Sequence, residues 1–352
     1  MKEKKYYALY KQVQKAILSG EYSAGERLPS KRTMADLSGC SVITVEAAYE
    51  LLEREGYISS KERSGYFVCR IDALGREDKG DIAVIEHLAA DNIRPVDELE
   101  HSIWFRTVRK VMSERGAELF SKSPNKGCAV LRNALSDYLY RYRGMLAQPE
   151  QIIIGSGAEQ LYESVIRILG RDKVYGIENP CYEQIKAVYS GYDVQLCPLD
   201  MGKDGILAGQ LDEKKFDVLH VTPFNSYPSG ITASISKRWE YLGWAAKSGG
   251  YIIEDDFASE FFRPGHPIQS LYSLDTGSSV IYINTFSKSL SPSMRMGYMI
   301  LPPQLTESYD AKLSAYSCSV PTFEQYVLAE FISGGHFERH LNRLRRRMND
   351  VT

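Results

Sequence analysis

A chain of 352 residues, 43% hydrophobic and 25% charged, has the composition of a globular protein with room for two or three domains. No apolar stretch approaches the roughly 20 residues of a membrane span, and the charged start, Met1 to Lys5, is no signal peptide. The net charge of −2 is unevenly spread: residues 1–70 carry 12 Lys+Arg against 9 Asp+Glu, an excess that permits nucleic-acid binding without demanding it.

Residues 6–52 predict three short helices. Leu9, Val13 and Ile17 share a face of the first, which ends at Gly20. The second opens at Ser30, an N-cap after Pro29, carries Met34 and Leu37, and stops at Gly39. The third opens at Ser41, repeats Val45, Ala48, Tyr49 and Leu52, and stops at Gly56. Tyr57-Ile58, a polar stretch, Gly65 and Tyr66-Phe67-Val68 then predict a β-hairpin. Two short helices joined by a tight glycine-containing turn and followed by a hairpin make a winged helix-turn-helix, expected over residues 1–69. Polar, aperiodic sequence follows, and residues 70–99 are expected to be a linker and lead-in.

Residues 100–352 change pattern. Strand-length apolar runs fall at 151–154, 173–178, 193–199, 217–222, 251–254, 280–284 and 296–301. Amphipathic helices lie between several of them; Leu131, Leu135, Tyr138, Leu139 and Tyr142 share one face. The expectation is an α/β domain: a mostly parallel seven-stranded sheet with helices on both faces, its ligand at the carboxyl ends of the strands.

Five segments at those ends carry chemistry. Gly155-Ser156-Gly157-Ala158-Glu159-Gln160 opens a helix whose backbone N–H groups suit a phosphate; such turns are also common without function. Tyr182, after the second strand, suits stacking on an aromatic ring or a place in the core. Thr222 to Gly230 reads as a loop by itself. Glu254-Asp255-Asp256 places consecutive acids at the end of a buried run, costly unless partnered; a carboxylate there keeps a pyridine nitrogen protonated, whereas a metal site has no histidine nearby. Lys288, in Thr285-Phe286-Ser287-Lys288-Ser289-Leu290-Ser291-Pro292-Ser293-Met294-Arg295, completes the set. Its amine can form a Schiff base, and the hydroxyls with Arg295 can hold a phosphate. A lone lysine on a loop is usually a solvated charge; the joint pattern points to pyridoxal 5′-phosphate. The six cysteines (40, 69, 128, 181, 197, 318) form no Cys-x-x-Cys pair and no His/Cys cluster. A disulfide framework and a metal site are therefore not expected, and the cytoplasm is the expected location.

Together these motifs resemble a known family. Gly25-Glu26-Arg27-Leu28-Pro29-Ser30-Lys31-Arg32, Thr44-Val45, Ala48-Tyr49-Glu50-Leu51-Leu52 and Glu55-Gly56-Tyr57-Ile58 resemble the GntR-type winged helix. Residues from about 100 onward resemble the large domain of fold-type I PLP-dependent aminotransferases. The combination resembles the MocR subfamily of transcription regulators. The resemblance implies that Lys288 is the Schiff-base lysine, Asp255 the partner of the ring nitrogen and Tyr182 the stacking aromatic. Arg295, Thr285 and Ser287 would hold the phosphate, with the turn at Gly157, Ala158 and Glu159. It implies that Ser30, Lys31, Arg32, Ser41 and Thr44 meet operator DNA, with Arg63, Ser64, Gly65 and Tyr66 as the wing tip. The implied protein is a homodimer, with no membrane partner, that senses an amino acid or amine through aldimine exchange at Lys288; the alternative is an aminotransferase with a DNA-binding appendage. Some positions depart from the family. Phe257 stands where a tyrosine bonds the cofactor's phenolic oxygen, Asn225-Ser226 where His-Gln is usual, Val42 where an arginine opens the recognition helix, and Gln184 where an arginine is frequent. The sequence ends at Thr352, before the small C-terminal domain that normally supplies a carboxylate-clamping arginine, and that domain is expected to be missing.

Overall fold

The computed structural model describes residues 5–18, 21–23, 25–54, 57–61, 65–68, 101–261 and 269–350. The chain divides into two compact units, residues 1–80 with 233–243 (the first part of the helix at 235–248) and residues 81–232 with 244–352.

The N-terminal unit holds α1 (Lys5–Leu18), α2 (Lys31–Ser38), α3 (Val42–Arg54) and the hairpin β1 (Ile58–Lys61) and β2 (Gly65–Val68). Local chemistry sets these boundaries. The Ser30 hydroxyl accepts the Thr33 N–H at 3.2 Å, and Gly39 closes α2 in the left-handed region at φ 64°, which a side chain would resist. Leu9, Val13, Val45, Ala48, Tyr49 and Leu52 are buried, so the 3.6-residue periodicity finds its partners. Leu37 does not follow: Met34 and Ala35 are the buried residues of α2, and Leu37 is exposed. Two residues past Ala35 lies about 200° round the helix. In the wing, Ile58 pairs with Val68 and Lys61 with Gly65, and Arg27 bridges to Phe67. Tyr49 packs edge-on against Tyr66 and donates its hydroxyl to the Pro29 carbonyl at 2.8 Å.

The larger unit opens with α4 (His101–Arg115) and α5 (Ala129–Tyr138), which continues as a π turn through Arg143. Then follow β3 (Ile152–Gly155), α6 (Ala158–Leu169), β4 (Val174–Asn179), α7 (Glu183–Gly191), β5 (Gln195–Gly202), β6 (Gly205–Ile206), α8 (Gln210–Glu213) and β7 (Val218–Val221). Next come α9 (Ile235–Ser248), β8 (Tyr251–Asp255), α10 (Leu271–Leu274), β9 (Val280–Thr285), β10 (Gly297–Ile300), α11 (Pro303–Leu313), α12 (Thr322–Ser333) and α13 (His336–Asp350).

The sheet runs β3-β10-β9-β8-β7-β4-β5-β6. Its centre, β9-β8-β7-β4-β5, is parallel, and β10 lies antiparallel between β3 and β9. The seven expected strands are all present. An eighth, the two-residue β6, adds an antiparallel edge through a tight turn at Gly202 to Gly205, too short to register as an apolar run.

Both faces are covered, so the strands alternate between two cores rather than between core and water. Ile152, Ile154, Tyr282, Tyr298 and Ile300 pack with α5, α12 and α13. Ile153, Ile253, Ile281, Ile283 and Met299 pack with α6, α7 and α11. Among the described residues no helix is long and apolar enough to cross a membrane.

Candidate functional site

Asp255 is the last residue of β8 and belongs to the face covered by α6 and α7. Tyr162 of α6 donates its hydroxyl to Asp255 Oδ2. His220, inside β7, places Nε2 3.8 Å from the same oxygen, and Tyr189 of α7 meets His220 Nδ1 at 2.6 Å. The imidazole also packs edge-on against both tyrosine rings. All four side chains are buried. Burial pushes the Tyr162 phenol well up, with the Asp255 charge as the next cause, so it stays a donor. The Tyr162 phenol thus orients the carboxylate, with the imidazole beside it but beyond hydrogen-bond distance.

Lys288 follows β9. Its Nζ lies over the Phe257 ring, 4.3 Å from the centroid, and Phe257 is two residues past Asp255. Strand order thereby brings the lysine to the strand end that carries the acid. Phe257 supplies a face for the ammonium and no hydroxyl. Thr285 is buried at the end of β9 and Ser287 half-buried beside Lys288. Ser289 Oγ is buried without a hydrogen-bond partner among the described residues.

The expected phosphate turn lies at the start of α6. Gly157 caps that helix at φ 96°. A Cβ there would sit 2.9 Å from Arg295 Nη2 and 3.1 Å from Glu159 Oε2. Arg295 therefore reaches across to the helix N-terminus, and the glycine keeps the space open. Arg295 pairs with Glu159 at 2.8 Å; the Glu159 carboxylate thus holds the arginine, and only its backbone N–H suits an anion. Tyr182 stands edge-on to Tyr227 at 5.9 Å between centroids. Burial, then the charges of Glu159 and Asp255, push its phenol up, while Arg295 pulls it down.

Sequence left Glu178 without a role and did not separate Asp256 from its neighbours. Glu178, ending β4, is buried and pushed up to about 8 by that burial. Ser226 donates to its Oε2 at 2.6 Å, which ties the Tyr182 strand end to the Tyr227 loop. On the opposite face, Asp256 takes Arg143 at 2.9 Å, Tyr282 at 2.7 Å and the Ser259 hydroxyl. Arg143 also reaches Glu260 at 3.4 Å, and Arg345 of α13 donates to the Glu260 carbonyl at 2.6 Å. Glu254 accepts the Leu271 and Tyr272 N–H groups at 2.8 and 2.9 Å, capping α10. The acid triplet thus divides into a cap, a site acid and a buried ion pair. Among the described residues no group of His, Cys, Asp and Glu is arranged for a metal ion.

In the N-terminal unit, Ser41 and Thr44 share a hydroxyl hydrogen bond of 2.8 Å at the start of α3. Ser30 and Arg32 are exposed at the start of α2. Lys31 differs from a free phosphate contact: it pairs with Glu46 at 2.5 Å and lies over the Tyr66 ring. Gly65 has φ 104° and approaches the Arg27 guanidinium. Arg63 and Ser64 lie outside the described residues, as do residues 69–100.

Comparison with known proteins places both units. Residues 5–68 match bacterial regulatory proteins of the gntR family, and residues 99–351 match aminotransferase class I and II. The chain is 34% identical over 351 residues to the HTH-type transcriptional regulator YdeL of Bacillus subtilis, covering 97% of this chain and 76% of that one. It is 28% identical over 362 residues to the probable rhizopine catabolism regulatory protein MocR of Rhizobium meliloti, covering 96% and 73%. Among solved structures, a kynurenine aminotransferase of Pyrococcus horikoshii superposes with a TM-score of 0.66 at 25% identity, over 72% of this chain and 66% of that one. The chain belongs to the MocR subfamily of GntR-type transcription regulators, a winged helix-turn-helix joined to an aminotransferase-like domain.

Proposed function

We propose that the regulator carries pyridoxal 5′-phosphate on Lys288 and that an amino acid or amine, competing with Lys288 for the cofactor aldehyde, sets its affinity for operator DNA. The observation that carries this reading is the Gly157–Arg295 cradle at the start of α6 together with Lys288 lying over Phe257, two residues past Asp255. The cradle fits a phosphate: a helix N-terminus, an arginine and a glycine whose Cβ would fill the gap. When bound, the cofactor supplies an electrophilic aldehyde and a ring that withdraws electrons when its nitrogen is protonated.

The chain's own residues then have distinct tasks. Asp255, held by the Tyr162 hydroxyl, would accept the ring N–H. Arg295 would hold the phosphate in place of Glu159, with Thr285 and Ser287 at the same end. Tyr182 would face the ring, and Lys288 would supply the amine. The effector acts through its different affinities for two states of the protein. Operator DNA as partner implies the cytoplasm, and a homodimer presents two winged helices to two half-sites.

Adding the cofactor to purified protein should produce the long-wavelength absorption of a lysine-bound pyridoxal, and Lys288→Ala should abolish it. Identical spectra from the two proteins would overturn the reading. The likeness to aminotransferases favours a second reading, true transamination. Phe257 weighs against it, because no hydroxyl there steadies the cofactor's phenolic oxygen. Incubation with a panel of amino acids separates the two: sustained keto-acid production marks an enzyme, and a spectral change without turnover marks a sensor.

A further inference from the structure

We infer that the winged helix reads thymine methyl groups in its operator through Val42 and Ile43. The inference rests on the DNA-binding reading of the N-terminal unit.

In a helix-turn-helix the start of the second helix of the motif meets the base edges. Here that helix is α3, with the sequence Val-Ile-Thr-Val-Glu-Ala-Ala-Tyr-Glu-Leu-Leu-Glu-Arg. Before Arg54 it contains no arginine, lysine, asparagine or glutamine. It therefore lacks every side chain that makes a bidentate contact to guanine or adenine. Val45, Ala48, Tyr49 and Leu52 face the core. The outward face begins with Val42, 43% exposed, and Ile43, 77% exposed. Its charges are the carboxylates of Glu46 and Glu50, which repel phosphate, and Glu46 is already held by Lys31 at 2.5 Å. The Ser41 and Thr44 hydroxyls bond each other at 2.8 Å, and the Ser41 hydroxyl also accepts the Thr44 N–H at 3.2 Å. The polar groups at this helix start are thus engaged in the cap.

What the first turn offers the groove is two branched apolar side chains. Neither supports the helix: β-branched residues are only moderate helix formers, and Ile43 leaves most of its apolar surface in water, a cost its own fold does not relieve. In the major groove the apolar feature of a base pair is the C5 methyl of thymine. Covering it with Ile43 and Val42 removes apolar surface from water on both sides. Arg32 and Ser30, exposed at the start of α2, remain for the phosphates that fix register.

The test begins with selection from a random duplex pool, using the full chain at low salt. Enriched half-sites should fix thymine at one or two positions. Replacing each with deoxyuridine removes only the methyl and should weaken binding roughly threefold to fourfold per position. In Ile43→Ala, whose fold is checked by circular dichroism, thymine and uracil duplexes should bind alike at the position Ile43 covers. Fixed guanines with no uracil effect, or an equal uracil effect in wild type and variant, overturns the proposal and leaves DNA binding standing. Enrichment of no duplex removes the DNA-binding reading and this proposal with it.

Discussion

Asp255 and Asp256 are neighbours in sequence and opposites in environment. Both are buried, and each leaves the end of β8 towards a different face of the sheet. Asp256 meets a guanidinium, with Arg143 and Asp256 side chains each only 4% exposed. Asp255 meets a phenol and an imidazole. The first arrangement spends the charge inside the protein, where it fastens the loop after β8 to the helices beneath. The second orients the carboxylate without placing a guanidinium against it, as the role proposed for Asp255 requires. The difference separates a structural acid from a proposed functional one where sequence shows only a repeat. Glu178 is a third case: among the described residues it has no ion pair, a serine hydroxyl donates to it, and burial favours the protonated form.

The largest effect should come from breaking the structural side. Arg143→Met leaves Asp256 and Glu260 buried without their counter-charge. It should cost about 3–5 kcal/mol in unfolding free energy, read by urea denaturation. An undiminished free energy would mean that the pair contributes nothing to the fold and that the contrast with Asp255 is false.

The Glu178 case sharpens the contrast through pH. Its folded pKa, about 8, lies above the ordinary 4.5, so the folded state binds the proton more tightly than the unfolded chain does. Its contribution is complete below pH 4.5, declines as pH rises through that window, and is gone above about 8. Glu178→Gln should flatten the decline, by about 2–4 kcal/mol across the window. Parallel stability curves for wild type and variant between pH 5 and 8.5 would count against a Glu178 carboxyl raised by burial.

Much of this was legible in sequence, for identifiable reasons. Strands covered on both faces appear as short apolar runs, and helix ends at Ser30 and Gly39 announce themselves by cap chemistry, so the architecture could be read locally. Lys288, Asp255 and Gly157 stand out because strand ends in a parallel sheet are where polar chemistry accumulates. What escaped notice depends on which faces meet. Tyr162 sits on the apolar stripe of α6 and looks like core until Asp255 is placed opposite it. His220 carried a usable signal, an ionisable residue inside Val218-Leu219-His220-Val221, but nothing local names its partner 35 residues on. Arg143 is 113 residues from Asp256, and no spacing rule links them. Leu37 failed for the reverse reason: helical spacing alone does not say where an eight-residue helix stops needing a core.

A smaller effect is expected on the functional side. Asp255→Asn keeps an oxygen to accept the Tyr162 hydroxyl but removes the charge that favours a protonated ring. Pyridoxal-phosphate affinity should fall about tenfold, the equivalent of about 1.4 kcal/mol, while unfolding free energy changes by less than about 1 kcal/mol. Asp256→Asn should do the opposite, lowering stability and sparing the cofactor. Fluorescence titration beside denaturation separates the two profiles, and matching profiles would erase the distinction between the neighbours.

The smallest effect tests the open end of the site. Arg295 and Glu159 form an exposed pair, with side chains 56% and 39% accessible, and such pairs contribute about 0–1 kcal/mol. A bound phosphate must take Arg295 away from Glu159, so the carboxylate competes with the ligand. Glu159→Gln should therefore tighten inorganic phosphate and pyridoxal phosphate together, by up to about fivefold, most clearly at low salt. Weaker binding of both would show that Glu159 organises the cradle instead of occupying it. Both ends of the site would then be built in advance, the phosphate end through an ion pair and the ring-nitrogen end through the Tyr162 hydroxyl.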